Sequence, residues 1–405
     1  MIDAHNDTDN GTRGQEMPYT PFFNDAQVDA AVAIRHQLHQ HPELKFEETQ
    51  TARLVAQRLR DLGYHVTEGL ATTGVMAELD TGRPGPVIAF RADMDALPIR
   101  EANAFEHRSQ RDGLMHACGH DGHTATLLLA AEAIIAQRDQ LCGYIKLLFQ
   151  PGEEGGNGAD KMVKAGVLQH PQVEAIFGYH NRPGFPAGQL FVKPGPAMGG
   201  NDTFKITLSG VSGHAAMPHL AVDPIYVGAS LVQQLQGLVG RHKSPLEAGV
   251  ITVAAFHAGD AANVIPGTAE LLVNIRSDRE SSRNALVGKL EQVVAGVCAA
   301  HGAHFSLEHQ HQIPPLVNDA EWSRQVLAIA TEQGVSPDIQ QLDYMPTMGA
   351  EDFAFYLQEV PGCFFFVGNG DSAYLHNEHY DFNDAILPVA AGMFVALARS
   401  LLQRR

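Results

Sequence analysis

Residues 116–125 read HACGHDGHTA, a stretch that places the thiol of Cys118 and three imidazoles within about two helical turns. Thiolate sulfur and neutral imidazole nitrogen are the ligands that zinc and neighbouring divalent metals prefer. Cys118 and His120 are too close in sequence for a zinc finger, and no CxxC pair accompanies them. The remaining ligands must therefore come from distant segments, which is typical of an open, catalytic metal site.

The segments around this stretch alternate between helical patterns and short apolar runs, which favours an α/β fold with a doubly wound, mixed sheet. In the first half we expect helices at 26–38, 47–62 and 124–136, and strands at 75–79, 87–91, 144–149 and 175–179. Three polar motifs follow these strands: RADMDALP at 91–98, FQPGEEGG at 149–156 and YHN at 179–181. Because the carboxyl ends of parallel strands carry the active site in such sheets, these motifs are expected to converge.

A different order of elements begins near residue 201. Its helical and strand patterns follow the order βαββαβ, which predicts a separate ferredoxin-like unit. After residue 312 the α/β pattern resumes, so the small unit is predicted to be an insertion. We therefore predict a disordered leader at 1–24, a discontinuous metal-binding catalytic domain at 25–200 and 312–405, and an inserted domain at 201–311.

Composition narrows the class of protein. The 405 residues include 28 basic and 46 acidic side chains, and the formal net charge of -18 opposes binding to nucleic acids or anionic membranes. The four cysteines are widely spaced and predict no disulfide framework, which fits a reducing cytoplasm. The leader lacks the apolar core of a signal peptide, and no later stretch reaches the roughly 18 apolar residues of a membrane span.

Nine motifs in one order resemble the aminoacylase, hippurate hydrolase and auxin-conjugate hydrolase family of dinuclear metal amidohydrolases, over residues 28–400. Besides the three motifs after the strands, they are HQHPELKFEE (39–48), HACGHDGHTA, SGHAAMPH (212–219), NVIPGTAEL (263–271), MGAEDFAFY (348–356) and LHNEHYDF (375–382). The resemblance implies a zinc-peptidase-like catalytic domain whose inserted domain is a lid and a dimerisation surface. Where the wider family has a His and a bridging Asp, this chain has Arg91 and Asp93, which matches the branch that uses the Cys-Gly-His motif.

The resemblance also implies two divalent metal ions, zinc or manganese, with nickel or cobalt as alternatives. Cys118 would bridge the two ions, and the other ligands would be His120, Glu154, His180 and His376. Glu153, the first carboxylate of its pair, would act as general base and then as general acid. It would take a proton from the attacking water and return that proton to the leaving amine.

Four further residues are assigned by resemblance. His214 would reach across a homodimer and stabilise the developing oxyanion. Asn263 and Arg276 would face the substrate, with Arg276 pairing with a free carboxylate, and the backbone of Gly349 would approach that carboxylate. Together these features imply hydrolysis of the amide bond of N-acyl amino acids, such as acetyl, benzoyl or indole-acetyl conjugates, to a carboxylic acid and a free amino acid.

Each residue also has a structural interpretation that stays open at this point. Taken alone, Cys118 fits a small core residue, Arg276 a strand end or an ion-pair partner, and His214 a surface histidine. His180 and His376, taken singly, fit hydrogen-bonded polar residues. For the whole protein, the alternatives are a dipeptidase or carboxypeptidase activity and a non-catalytic, metal-dependent binding protein.

The remaining histidines near or between the motifs are interpreted more simply. His116 and His123 flank the predicted ligands and are expected to form hydrogen bonds that orient ligand groups. His311 has no motif around it and is interpreted as a surface or packing residue.

Overall fold

The computed structural model describes residues 22–344 and 347–404. These residues contain ten α-helices: α1 (Asp25–Gln40), α2 (Thr49–Leu62), α3 (His120–Ile135), α4 (Glu153–Gly156), α5 (Gly158–Lys164), α6 (Pro224–Arg241), α7 (Glu280–His301), α8 (Ala320–Glu332), α9 (Ala354–Glu359) and α10 (Leu387–Leu402). They also contain sixteen β-strands: β1 (His65–Leu70), β2 (Gly74–Asp80), β3 (Val87–Asp93), β4 (Tyr144–Gln150), β5 (Ala175–Pro183), β6 (Leu190–Val192), β7 (Gly195–Met198), β8 (Gly200–Ser209), β9 (Gly213–His214), β10 (Gly249–His257), β11 (Val264–Ile265), β12 (Thr268–Ser277), β13 (His304–Ile313), β14 (Leu316–Asn318), β15 (Ile339–Gln341) and β16 (Gly362–Gly370).

Eight strands form one mixed sheet in the order β1-β2-β4-β3-β5-β16-β6-β15. The central strands β4, β3, β5 and β16 are parallel, and antiparallel pairs flank them on both sides. Alternate residues of the central strands belong to two different hydrophobic clusters, one with α1, α2, α3, α8 and α10 and the other with α5 and α9. Because side chains alternate between the faces of a sheet, helices cover both faces. The predicted mixed α/β fold is therefore confirmed.

The first described residues already belong to the folded part of the chain. Of the predicted leader at 1–24, residues 1–21 lie outside the described residues. Phe22 and Phe23 are 9% and 8% exposed and pack in the main core. The side chain of Asn24 accepts a hydrogen bond from the N–H of Gln27 and so caps α1. The leader boundary at residue 24 was therefore placed too late.

Helix α3 begins earlier than the apolar pattern predicts. The sequence places its start at residue 124, whereas the helix begins at His120, directly after Gly119 with a φ of 100°. Glycine adopts this left-handed conformation without steric penalty. An added Cβ at Gly119 would also lie 2.3 Å from Oδ1 of Asn181. The tight turn therefore directs Cys118 and His120 toward the same side of the sheet edge.

A second, four-stranded sheet has the order β10-β12-β8-β13, and all of its pairs are antiparallel. Its elements follow the chain in the predicted βαββαβ order, with the short strands β9 and β11 added. Helices α6 and α7 pack on one face around a hydrophobic cluster that includes Leu231, Leu235, Leu286 and Leu290. The opposite face carries polar side chains, because the residues of β8 and β12 alternate between buried and partly exposed.

The C-terminal segment Asp384–Leu402 is, by length and composition, apolar enough to cross a membrane. The sequence analysis expected no such stretch. In the structure 78% of this segment is buried, and α10 packs against α3 in the main core. The high apolar content is therefore explained by burial between the sheet and neighbouring helices.

Candidate metal centre and active site

The candidate metal ligands lie at the carboxyl-terminal edge of the central parallel strands. Asp93 ends β3, Glu153 comes shortly after β4, and His180 lies in β5. His120 begins α3, and His376 lies between β16 and α10. Neighbouring parallel strands end at the same edge of a sheet, so segments far apart in the sequence meet there.

Cys118, His120 and His180 form a buried group whose potential ligand atoms all lie within 4.8 Å of one another. Nδ1 of His120 donates to the backbone carbonyl of Asp95 over 2.9 Å, because a carbonyl oxygen can only accept. Nδ1 of His180 likewise donates to the carbonyl of Asn181 over 2.7 Å, and its Nε2 lies 3.4 Å from Sγ of Cys118. Each ring is thus left with its Nε2 lone pair for a metal ion.

A second group shares the same thiol. The potential ligand atoms of Cys118, Glu154 and His376 lie within 4.8 Å of one another, and Nε2 of His376 is 3.0 Å from Oε1 of Glu154. His376 has a left-handed φ of 64°, and its N–H donates to the carbonyl of Ala117 over 2.7 Å. Two groups of three with one common sulfur suit two cations bridged by that sulfur.

The buried Nε2 of His120 is the observation that tests whether a cation fits. It has no hydrogen-bond partner among residues 22–344 and 347–404, although buried polar atoms normally have one. Burial opposes charge at this ring, yet the carboxylates of Asp93 and Asp95 raise the pKa of His120 to about 10. Burial and the nearby Glu154 carboxylate raise the pKa of the Cys118 thiol. These carboxylates would stabilise a cation held by the soft donors, so the residues fit a metal centre.

Glu153 is buried beside this centre. Its carboxylate lies within 4.8 Å of those of Glu351 and Asp352, and its Oε2 is 4.0 Å from Nε2 of His120. Burial, followed by the charge of Glu351, raises the pKa of Glu153 well above its ordinary value. A carboxyl group with a raised pKa is suited to take up and release a proton near neutral pH.

Arg91 organises the acidic residues around Glu153. It is fully buried, and its guanidinium lies 2.7 Å from Asp93 and 3.0 Å from both Glu351 and Asp352. Although burial opposes its charge, these carboxylates, led by Glu351, raise the pKa of Arg91 above its already high value. A permanently protonated guanidinium has no lone pair for a metal ion, so this residue positions the acids instead.

A cavity of about 430 Å³ opens beside the two ligand groups. Most of the predicted site residues line it: Cys118, Glu153, Glu154, His180, Arg276, Gly349 and His376. His120 lies behind them and is fully buried. Arg276 is half-buried and has no ion pair with a carboxylate in the described part of the chain. The structure therefore does not support the alternative that Arg276 is an ion-pair partner.

His214 and Asn263 lie together, but outside the lining of this cavity. Both are exposed, and they are adjacent because β9 pairs with β11, where His214 faces Val264. The N–H of Ala215 donates to the carbonyl of Asn263 over 3.1 Å. Within one chain, therefore, the structure joins these two residues to each other and not to the metal ligands.

Residues 89–400 match the model of Peptidase family M20/M25/M40. The chain belongs to this family. The matched region contains every predicted ligand, Glu153 and the whole four-stranded sheet. As an M20 protein the chain is a hydrolase that acts on amide bonds.

Three M20 relatives cover nearly the whole chain. The hippurate hydrolase of Campylobacter jejuni is 36% identical over 370 residues, which are 91% of this chain and 96% of that protein. IAA-amino acid hydrolase ILR1-like 4 of Arabidopsis thaliana is 38% identical over 384 residues, 92% of this chain and 86% of that protein. Thermostable carboxypeptidase 2 of Saccharolobus solfataricus is 36% identical over 344 residues, 84% of this chain and 86% of that protein.

A solved M20 structure has the same fold. The YXEP protein of Bacillus subtilis, described as a dinuclear metal binding peptidase, superposes with a TM-score of 0.81 and 33% sequence identity. The similarity covers 94% of this chain and 99% of that chain. The family thus includes dinuclear metal-binding peptidases. In the present chain two groups of potential metal ligands lie together at one edge of the large sheet.

Further side chains that the sequence analysis did not assign to the site also line the cavity of this M20 protein, among them Arg182, Asn201, His311 and Tyr374. Arg182 is 8% exposed, and its guanidinium carbon lies 5.4 Å from the ring centroid of Tyr374. His311, interpreted from the sequence as a surface or packing residue, lies after a β-bulge and lines the cavity. A sequence signal for this polar face was the alternation of polar and apolar residues along β8.

The two histidines that flank the ligands differ from each other. Nδ1 of His123 lies 2.6 Å from Oδ1 of Asp93, and its Nε2 lies 2.9 Å from the side chain of Asn181, so it forms the expected bonds. His116 is buried, and neither ring nitrogen has a hydrogen-bond partner in the described residues. Burial lowers the pKa of His116 to about 4, so its ring is neutral, and the expected hydrogen-bonding role was wrong for this residue.

Proposed function

We propose that this enzyme hydrolyses the amide bond of N-acyl amino acids and releases a carboxylic acid and a free amino acid. One observation carries the proposal: Glu153, two metal-ligand groups and Arg276, which has no carboxylate partner among the described residues, face one cavity. Relatives named hippurate hydrolase and IAA-amino acid hydrolase support the substrate class. The free carboxylate of an N-acyl amino acid is the group that Arg276 would bind.

The ligands of the proposed dinuclear centre are Cys118, His120, Glu154, His180 and His376. When bound, two divalent cations polarise the scissile carbonyl and make a water molecule more acidic. We propose zinc or manganese, because the site combines thiolate, imidazole and carboxylate donors, and nickel and cobalt are accepted by the same donors.

Glu153 moves the proton in this scheme. Its ionised carboxylate removes a proton from the attacking water, and the carboxylic acid then donates that proton to the amide nitrogen as the carbon–nitrogen bond breaks. The burial and the acidic neighbours that raise the pKa of Glu153 favour the first step, because they make its carboxylate a stronger base. Without this proton the leaving group would be an unstable amide anion.

Recognition of the amino-acid half is assigned to the small sheet and to one loop. Arg276 would bind the α-carboxylate with its guanidinium, and the backbone of Gly349, on the same cavity wall, would contact that carboxylate. The cavity also contains apolar surface from Met198, Ile313 and Leu375 for the rest of the substrate. Its volume of about 430 Å³ suits a small molecule.

We also propose that residues 201–311 form an inserted lid and dimerisation domain. Large apolar side chains are exposed around His214, among them Val211 at 54%, Met217 at 53% and Leu220 at 68%. A contiguous exposed apolar surface is typical of a protein interface. A second copy that covers it would bring His214 and Asn263 toward the neighbouring active site, where the imidazole would stabilise the oxyanion.

A cytoplasmic location is proposed from charge and cysteine chemistry. The four cysteines are unpaired, and three of them are buried. A reducing compartment preserves such thiols, and Cys118 must stay reduced to bind metal. The net charge of -18 opposes nucleic acids and anionic membranes as partners.

A carboxypeptidase is the second candidate function. Thermostable carboxypeptidase 2 is as similar to this chain as the hippurate hydrolase is, at 36% identity. The C-terminal carboxylate of a peptide would meet Arg276 as the carboxylate of an N-acyl amino acid does. The two functions differ only in what lies on the acyl side of the scissile bond.

The test is a panel of N-acetyl, N-benzoyl and indole-acetyl amino acids, with dipeptides and blocked dipeptides beside them. Metal-stripped protein is assayed alone and after addition of zinc, manganese, cobalt or nickel. Metal-dependent release of amino acid from the acyl conjugates, faster than from the peptides, is the expected result. Faster cleavage of the peptides would favour the carboxypeptidase, and cleavage of neither by the metal-loaded protein would contradict both.

A further inference from the structure

Asn274 is an amide on β12 whose polar side-chain atoms are all hydrogen-bonded. Its Nδ2 donates to Oδ1 of Asn201 over 2.6 Å and to Oγ1 of Thr203 over 3.1 Å, both on the adjacent strand β8. Its Oδ1 accepts from Nε of Arg276 over 2.9 Å. Because the guanidinium of Arg276 can only donate, the atom of Asn274 that faces it must be the oxygen.

These bonds restrict the guanidinium of Arg276. Arg276 and Asn274 lie two residues apart on one strand, so both side chains project from the same face. The bond from Nε to Asn274 restricts the orientation of the guanidinium, and its two terminal nitrogens have no hydrogen-bond partner among the described residues, so they remain for a ligand in the cavity. A bidentate bond to a carboxylate needs one orientation of the guanidinium plane, and restricting it beforehand removes part of the entropy lost on binding.

His311 approaches the same cavity from the other side of β8. It pairs with Thr203, while Arg276 pairs with Asn201, so the two side chains lie on opposite sides of one strand. The β-bulge between His309 and His311 shifts the register of β13, so the two side chains have different neighbours. His309 stacks on Phe204 with a centroid distance of 4.2 Å, whereas His311 lines the cavity.

The charge state of His311 is consistent with a donor role. Burial, followed by the positive charges of Lys45 and Arg276, lowers the pKa of His311. A neutral imidazole still carries one N–H that can donate to an anion.

We propose that Asn274 is a positioning residue that orients Arg276 for a substrate carboxylate, and that this carboxylate lies over β8, between Arg276 and His311. The inference rests on the proposed function, because it requires that Arg276 bind the carboxylate. It adds a specificity rule. The site accepts an N-acyl amino acid with a free carboxylate and rejects its carboxamide. The carboxamide has only one acceptor oxygen, so it cannot form both hydrogen bonds with the oriented guanidinium.

The experiment measures kcat and KM for an N-acyl amino acid and for its carboxamide, beginning with N-benzoylglycine and N-benzoylglycinamide. The variants are Asn274→Ala, Asn274→Asp, His311→Leu and, as a benchmark, Arg276→Ala. Glu270→Gln is the matched control, because Glu270 lies on the same strand β12 but outside the cavity lining. This change removes a cross-strand ion pair with Lys205 of β8. Circular dichroism and thermal unfolding check that each variant is folded.

Asn274→Ala is expected to raise KM for the carboxylate about tenfold with little change in kcat, and to leave the carboxamide unaffected. Asn274→Asp should raise KM further, because its charge would occupy Arg276. His311→Leu should also lower the preference for the carboxylate, and the control should preserve it.

The outcomes separate two failures. If Arg276→Ala lowers the preference for the carboxylate and Asn274→Ala does not, the positioning role is overturned while the proposed function stands. If Arg276→Ala itself leaves the preference unchanged, the assigned role of Arg276 in the proposed function fails. An equal loss on carboxylate and carboxamide in folded Asn274→Ala would indicate a purely structural role.

Discussion

Asp95 joins His120 to the loop that carries the proposed general base. Its backbone carbonyl accepts from Nδ1 of His120 over 2.9 Å. Its carboxylate accepts from the backbone N–H of Glu153 over 3.1 Å and from that of Glu154 over 2.9 Å. One residue therefore sets the direction of a ligand imidazole and the position of the two carboxylates that follow β4.

The change Asp95→Asn tests this connection. The amide can accept through one oxygen only, so one of the two N–H groups of the loop loses its partner. We expect the metal affinity to fall about 10- to 100-fold, as is typical when groups that orient ligands are altered. Titration with a competing chelator measures it. Asp80→Asn, at the exposed end of β2, is the control, and equal affinities of the two variants would contradict the prediction.

Glu153→Gln should separate metal binding from catalysis. The amide is nearly isosteric but neither accepts nor returns a proton, so kcat should fall about 10²- to 10⁴-fold. Metal content, measured by elemental analysis, should stay that of the unmodified protein. Loss of metal in this variant would instead show that Glu153 is itself a ligand.

Cys118→Ser should differ from Glu153→Gln in its metal content. Because the serine hydroxyl is a poor ligand compared with a thiolate, the centre should lose metal and activity together. The measurement is metal stoichiometry after dialysis against a weak chelator, with Cys142→Ser as the control. Full stoichiometry in Cys118→Ser would rule out the bridging thiolate.

A buried carboxyl group next to the catalytic loop should make stability depend on pH. Oε1 of Glu48 accepts from the N–H of Gly152 over 2.9 Å, and burial raises the pKa of Glu48 from 4.5 to about 7. Since the folded state then binds the proton more tightly, this contribution to stability is complete below pH 4.5 and is lost as the pH rises through 7.

Glu48→Gln removes this titration. Between pH 5 and pH 8, the free energy of unfolding of the unmodified protein should fall relative to that of the variant, by at most about 3 kcal/mol. Urea unfolding at the two pH values measures the difference. Glu47→Gln, an exposed neighbour, should behave like the unmodified protein, and parallel profiles for Glu48→Gln would refute the assignment.

Mixed oligomers test whether His214 acts on the neighbouring subunit. His214→Ala and Glu153→Gln should each be inactive alone. If His214 acts across the interface, co-expression gives hybrid dimers with one complete site, and about a quarter of the sites should recover activity. Activity that stays absent in verified hybrids would place His214 in its own subunit's site, and activity of His214→Ala alone would place it outside the reaction.

Helix and strand patterns predicted most of the regular elements within a few residues, because the core elements carry strong apolar periodicity. In the large sheet the pattern missed β1, β6 and β15. Strands β6 and β15 have three residues each, which are too few positions to show a period. It also placed the start of α3 four residues too late, because the first residues of this helix are polar or glycine and carry no apolar periodicity. The predicted leader was too long because Phe22 and Phe23 have no periodic neighbours upstream.

The clustering of the proposed metal ligands was predictable because thiol, imidazole and carboxylate groups follow strands whose carboxyl ends must meet. The carboxylate site was only half predictable. Arg276 ends an apolar strand within a motif region, but Asn274 and His311 acquire their positions from the register of three strands and from one bulge. No local spacing encodes either feature.

The sequence by itself determined the mixed α/β class, the order of the two sheets along the chain and the set of chemically capable side chains. These follow from local periodicity and from residue chemistry, both of which are written in neighbouring positions. Only the tertiary structure decided which nitrogen of each histidine is available, that Arg91 binds acids instead of metal, and that His214 lies outside its own chain's cavity. Those outcomes depend on tertiary contacts at very different sequence separations, from Nδ1 of His120 and Asp95, 25 residues apart, to Arg91 and Asp352, 261 residues apart. Packing and hydrogen bonding there select one arrangement from many that the local sequence allows.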